Sequence, residues 1–156
     1  MQLLAQEEYG LRCLLQVAQH RGQEPLSIQS VADREGLSPE YAAKLMRALR
    51  KAGFVVSTRG AAGGYRLARL PGEITAWEVI GVLGGSFFGE EFCDSHPGQL
   101  RDCVHSSGCS IRGLWRSVET AVREVLERVT LTDLMREETD LVRWIGVEGE
   151  APIEAR

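Results

Sequence analysis

Leu4, Leu11, Leu15 and Ala18 recur at intervals of seven, four and three, which predicts an amphipathic helix over residues 3–20. His20, Arg21 and Gly22 suit its end, with cations near the negative terminus and a glycine beyond. Ser27 is placed to cap a short second helix that carries Ile28, Val31 and Ala32 on one face, and Gly36 breaks it. Ser38 then caps a third helix, with Pro39 at its first position and Gly53 past its end. The pattern changes over 54–69. Phe54 to Thr58 and Tyr65 to Ala68 are β-prone runs around a glycine-rich tip, which predicts a hairpin. Thr75 caps a fourth helix, TAWEVIGVLGG. The stretch 87–108 has no clear period. Ser110 can cap a long helix over 111–129, and Thr132 starts a last short one.

Helix, short helix, tight turn, helix and hairpin is the order of a winged helix-turn-helix. The expected fold is therefore mainly α with a small β-hairpin, followed by a long dimerisation helix. The expected divisions are a DNA-binding domain over 1–84, a cysteine loop over 85–110, the dimerisation and C-terminal helices over 111–145, and a disordered tail over 146–156. Val31, Ala32, Leu37, Ala42, Leu45 and Leu49 should pack the two helices of the motif together. On the long helix Ile111, Leu114, Val118, Ala121, Val125 and Val129 form an apolar stripe longer than one small winged domain needs, so the helix is expected to pair with its twin.

Charge at first argues against nucleic acid, because the net charge of the 156 residues is −4. Its distribution reverses that impression. Residues 1–72 hold 10 Lys and Arg against 6 Asp and Glu, whereas 73–156 hold 8 against 16. From Ser38 to Arg69 there are 7 basic residues and one acid, Glu40. Such a patch is an electrostatic footprint that whole-chain charge hides, although a solvated helix face would look the same. The third helix would enter the major groove, which admits a helix and displays the base code. Ser38, Tyr41, Lys44, Arg47 and Lys51 are the candidate contacts on it, with Lys44 and Arg47 best placed for base edges. In the wing, Gly60, Gly63 and Gly64 would let the backbone approach a phosphate, and Arg59 and Arg66 flank them. A nucleotide-binding loop would need a strand leading into a helix and a phosphate-binding lysine followed by Ser or Thr, and neither is present.

No apolar run approaches the roughly 20 residues of a membrane helix. The opening MQLLAQEEYG does not read as a signal peptide, so a cytoplasmic protein with reduced thiols is expected, without membrane contact. Cys93, Cys103 and Cys109 have nine and five residues between them in a polar loop. Thiolates are soft ligands that suit iron–sulfur clusters and zinc, and structural zinc sites more often use cysteines two to four apart. Cys13 lies within an apolar helix and reads as a core residue. A fourth ligand is open. Glu8 falls on the Leu4–Leu11–Leu15 stripe, where a carboxylate is expensive unless coordinated or paired, for instance with Arg12. His96 and His105 are rivals within the loop. There is no Cys-x-x-Cys beside a βαβ pattern and no recognisable Ser/His/Asp set, so a thiol enzyme is disfavoured.

The segments EEYGLRCLLQVAQ, LSPEYAAKLMRALRKAGFVVSTRGAAGGYRLAR and TAWEVI, followed by three cysteines, resemble the IscR/NsrR-type winged-helix regulators of bacteria over nearly everything to about residue 140. The resemblance implies a homodimer joined through the long helix, bound to near-palindromic double-stranded DNA. It also implies a two-iron or four-iron cluster (2Fe-2S or 4Fe-4S) at the loop, and promoters that respond to cluster status, iron, nitric oxide or redox state. The sequence departs from iron–sulfur-assembly regulators, in which a histidine ligand follows the third cysteine by three residues; here that residue is Arg112. Ala43 stands where those regulators carry a glutamate that helps choose DNA sites. In nitric-oxide-sensing members an acidic residue of the partner's first helix completes the cluster, and Glu8 matches that position. The alternative is a regulator of the same fold that uses its cysteines as a thiol switch or zinc site.

Overall fold

The computed structural model describes residues 3–60, 63–85, 96, 99, 103–105 and 108–146. Helix α1 (Ala5–Gln19) leads to α2 (Ile28–Glu35) and α3 (Pro39–Lys51). An antiparallel hairpin follows, β1 (Val55–Thr58) and β2 (Gly64–Leu67), then a single 3-10 turn (Pro71–Glu73) and α4 (Ala76–Gly84). Beyond the cysteine segment lie α5 (Ser110–Arg128), α6 (Leu131–Leu134) and α7 (Glu138–Ile145). Among the described residues no helix is long and apolar enough to cross a membrane.

The helix-turn-helix forms where its caps dictate. The Ser27 hydroxyl accepts the Ser30 amide at 3.1 Å, and the Ser38 hydroxyl accepts the Tyr41 amide at 3.2 Å. Gly36 closes α2 at φ 65°, a left-handed conformation that glycine adopts without steric cost. Val31, Ala32, Ala42, Leu45, Met46 and Leu49 are buried between α2, α3 and α1. The hairpin pairs Val55 with Leu67 and Thr58 with Gly64. Leu26 extends it by one rung, exchanging amide–carbonyl bonds of 3.0 and 2.9 Å with Tyr65, so the wing is tied to the start of α2.

The core face of α1 differs from the expected stripe. Glu7, Gly10, Cys13, Leu14 and Val17 are buried, while Leu11, Leu15 and Ala18 are half-buried and Leu4 is exposed. The helix has two adjoining apolar arcs, and the arc that faces α3 and α4 becomes the core. Glu8 therefore lies off the core face and is exposed, so no desolvation cost attaches to it within the chain.

Three further expectations are corrected downstream. The cap of α5 is Cys109 rather than Ser110, its Sγ accepting the Arg112 amide at 3.5 Å. The last helix is two helices, because Thr130, not Thr132, caps α6. Its hydroxyl accepts the Asp133 amide at 3.4 Å, and the Asp133 carboxylate accepts the Thr130 amide and hydroxyl at 3.0 and 2.6 Å. The α5 stripe also divides. Ile111, Leu114, Ala121 and Val125 are exposed and Val118 is half-buried, whereas Val129 is buried in the core. Val129 is held there by a short bridge to the start of α4: the Ala76 amide donates to the Val129 carbonyl at 2.8 Å and the Leu131 amide to Ile74 at 3.0 Å. The segment 147–156, including most of the expected tail, lies outside the described residues.

Candidate nucleic-acid interface and metal site

Lys44, Arg47, Arg50 and Lys51 are exposed on α3, on the side away from Ala42, Leu45 and Leu49. Spacing of three and four places Lys44, Arg47 and Lys51 along one edge. Arg50 reaches the wing instead, donating to the Ser57 hydroxyl at 3.2 Å. That bond links α3 to β1. Ser38 is exposed and its hydroxyl is engaged as the cap of α3. Tyr41 is half-buried, with its ring edge-on to Tyr9 of α1 at 6.1 Å between centroids.

At the wing Arg59, Gly60 and Arg66 are exposed. Gly60 has φ 110°, and its carbonyl accepts the Gly63 amide at 2.9 Å, which closes the turn. The other two glycines meet steric demands inside the hairpin. A Cβ at Gly63 would lie 2.5 Å from the Thr58 carbonyl oxygen, and one at Gly64 would lie 2.5 Å from that of Leu26. Ala61 and Ala62, at the tip, lie outside the described residues.

An ion-pair network joins α1 to the end of α2. Arg12 Nε donates to Glu35 at 2.6 Å and Gln16 Nε2 to the same carboxylate at 2.6 Å. Arg12 also stacks over Tyr9, 5.4 Å from the ring centre. Arg12, the intrahelical partner considered for Glu8, is thus committed to another carboxylate.

Of the three loop cysteines, Cys93 lies outside the described residues. Cys103 and Cys109 are half-buried, and His96 and His105 are exposed. Cys109 is the best defined of these groups. It is the N-cap of a helix of 19 residues, where its sulfur accepts one of the first-turn amides. Arg112, one turn into α5, donates to the His105 carbonyl at 3.3 Å. Among the described residues no three His, Cys, Asp or Glu side chains of one chain come close enough to hold a metal ion. The donor chemistry nevertheless fits an iron–sulfur group: a thiol at a helix N-terminus, a second thiol six residues earlier, and an exposed carboxylate at Glu8. Cys13 is a core residue as expected, fully buried, with its thiol pushed up to about 11 by burial.

Sequence comparison places these features in company. A family model described as Rrf2, iron-dependent transcriptional regulator, matches residues 3–137. Protein rrf2 of Nitratidesulfovibrio vulgaris is 37% identical over 137 residues, covering 88% of this chain and 89% of the relative. The structure of CymR, the global cysteine regulator of B. subtilis, superposes with a TM-score of 0.69 at 34% identity, over 86% of this chain and 95% of that one. The structure of T. potens IscR gives a TM-score of 0.69 at 32% identity, over 97% and 94%.

Proposed function

Since the chain belongs to the Rrf2 family of winged-helix transcriptional regulators, whose named members here are regulators and not enzymes, we propose that it is a homodimeric DNA-binding protein gated by an iron–sulfur cluster. The observation that carries this reading is Cys109 as the N-cap of α5, because it puts a thiol donor at the origin of the helix that leaves an apolar face exposed. Cys93, Cys103 and Cys109 would hold the cluster, with Glu8 of the partner subunit as the remaining ligand. When bound, the cluster supplies a soft, redox- and nitric-oxide-responsive centre whose loss is the signal.

The chain's own residues do the rest. Lys44, Arg47, Lys51, Arg59 and Arg66 neutralise phosphates, Lys44 and Arg47 also reaching base edges, and Ser38, Tyr41, Gly60, Gly63 and Gly64 shape the approach of the backbone to the duplex. Exposed Ile111, Leu114, Ala121 and Val125 pair with their twins and set the spacing of two reading heads on a near-palindromic site. Glu8 sits one residue before Tyr9, which contacts Tyr41 of the reading helix, so a pull on Glu8 acts on α3 through a direct ring contact.

The second reading is a thiol switch without iron, favoured by the 37% identity to CymR of Bacillus subtilis and by the global cysteine control named for that protein's structure. Anaerobic purification with iron and sulfide analysis separates the two. A coloured protein with stoichiometric iron and sulfide that loses both in Cys109→Ala, and changes its spectrum in Glu8→Ala, supports the cluster. Colourless protein whose DNA affinity changes on thiol oxidation overturns it in favour of the switch.

A further inference from the structure

The first turn of α1 grips the last turn of α4. Gln6 Nε2 donates to the Leu83 carbonyl at 2.6 Å, one of the terminal carbonyls that have no partner within their own helix. Glu7 is 4% exposed, and its carboxylate accepts the Leu4 amide. It is wedged against Gly84, where a Cβ would fall 1.7 Å from Glu7 Oε1 and 2.2 Å from Cδ. A third contact has the opposite sense: a Cβ at Gly10 would fall 2.3 Å from Leu83 Cδ1. The two helices therefore interlock at a glycine on each, with Glu7 filling one notch and Leu83 the other.

This joint stands at the root of the cysteine segment, since Gly85 ends α4 at φ 83° and opens that segment. On its other side α1 is held to the reading head by the Arg12–Glu35–Gln16 network and by the Tyr9–Tyr41 contact. A carboxylate in a buried place needs a hydrogen-bond donor, and the Leu4 amide supplies one to Glu7. What Glu7 provides is a fixed seat for α1 on α4.

We propose that Gln6 and Glu7 are positioning residues that couple the root of the cysteine loop to the DNA-reading head within a single chain, alongside any contribution of Glu8 across the dimer. The inference rests on the reading that the loop's state controls DNA affinity. Movement at Gly85 shifts the last turn of α4; the interlock passes it to α1; Arg12 and Tyr9 pass it to α2 and α3. A loop that lost this joint would still bind its cluster, and the head would still bind DNA, but neither would sense the other.

The test is a double-mutant cycle on the full chain, read as the DNA dissociation constant. Cys103→Ala supplies the altered loop state, whichever chemistry the loop performs. Gln6→Ala removes one bond while keeping a strong helix former, and Glu7→Gln removes the charge while keeping the shape. The ratio of dissociation constants between the Cys103→Ala and intact-loop proteins should fall by about threefold or more when Gln6→Ala or Glu7→Gln is added, near the low end of couplings between residues in contact. Affinity in the Cys103→Ala background should change by less than about twofold on adding Gln6→Ala, well below that coupling. An unchanged ratio overturns the proposal, and so does equal weakening of both loop states, which is what a merely structural contact would give. If Cys103→Ala has no effect on DNA affinity in the otherwise native chain, the loop does not regulate and the coupling role falls with it. A large ratio that collapses in Gln6→Ala, in protein without iron or sulfide, would sink the cluster reading and leave the joint standing.

Discussion

Truncating Leu114 to alanine should break the dimer far more than it harms the fold. Helix α5 has 19 residues and none of them is buried in the isolated chain, yet it carries Ile111, Leu114 and Val125 with 59%, 55% and 39% of their surface exposed. Burying a leucine fully is worth about 1.5–3 kcal/mol. About half of Leu114 remains to be covered, so its contact with a twin contributes about 1 kcal/mol per protomer on that scale. A two-fold interface uses each position twice, which makes the loss on truncation about 2 kcal/mol per dimer, or ~30-fold in the dimer dissociation constant. Leucine and alanine are both good helix formers, so α5 itself should persist. Sedimentation equilibrium of the full chain across micromolar concentrations reads this directly. Val56→Ala, at 52% exposure on the wing, is the matched control and should leave association unchanged. A shift below about threefold for Leu114→Ala, or equal shifts for both variants, would refute dimerisation through this face.

Two further outcomes are expected. Lys44→Ala and Arg59→Ala should each weaken DNA binding and lower the slope of log affinity against log salt by about one, and a titration in which neither changes would remove α3 and the wing from the interface. Acid should loosen two helix starts. Burial opposes ionisation of Glu78 and Asp133, but the Thr75 amide and Arg69 in the first case, and the Thr130 hydroxyl and amide in the second, more than offset it and hold both carboxyls below their ordinary 4.5 and 3.8. Their stabilisation is thus present above those ordinary values and lost as pH falls through the depressed ones. Asp133→Ala should lower Tm by about 2–4 °C at pH 7, the cost of about one cap, and by less at pH 3 in thermal melts.

The elements of this fold were legible wherever the signal is local. Ser27, Ser38 and Thr75 cap the helices their positions announce, and Gly36 and Gly53 adopt φ of 65° and 82° where the helices stop. The hairpin follows from its β-prone runs, and the family from the combination of segments. What escaped was set by contacts distant in sequence. The buried arc of α1 is chosen by α3 and α4, and both arcs of that helix are apolar enough to serve. Glu8 stands out in the sequence and Glu7 does not, yet the approach of Gly84, 77 residues later, makes Glu7 a buried wedge. Cys109 takes the cap that Ser110 advertises because the chain enters the helix one residue earlier, and a thiol is a weak enough acceptor to be overlooked there. Arg50 is adjacent in sequence to Lys51 of the basic edge, and its bond to Ser57 of the wing depends on a strand the spacing does not place.

The two roots of the cysteine segment end on the same mechanical unit. Gly85 leaves α4 beside the Gln6–Leu83 bond, and Cys109 opens α5. The far end of α5 returns to α4, through the Ala76–Val129 bond at 2.8 Å and the stacking of Arg123 over Trp77 at 5.6 Å. Helix α4 is therefore held at its start by the end of α5 and at its finish by α1, with the cysteine segment strung between its own C-terminus and the start of α5. On the proposed function, a change of state in that segment would tilt α5 against α4 or shift α4 against α1. The first outlet is amplified by length. A rod of 19 residues is about 28 Å long, so a tilt of about 5° moves one end by ~2 Å, comparable to the shifts by which interface helices switch. The second outlet is short: it leads through Tyr9 to α3 and through Arg12 to the end of α2. On the proposed function, dimer spacing and head orientation would be two responses to one displacement, and the interlock of Glu7 with Gly84 would set how the displacement is divided between them.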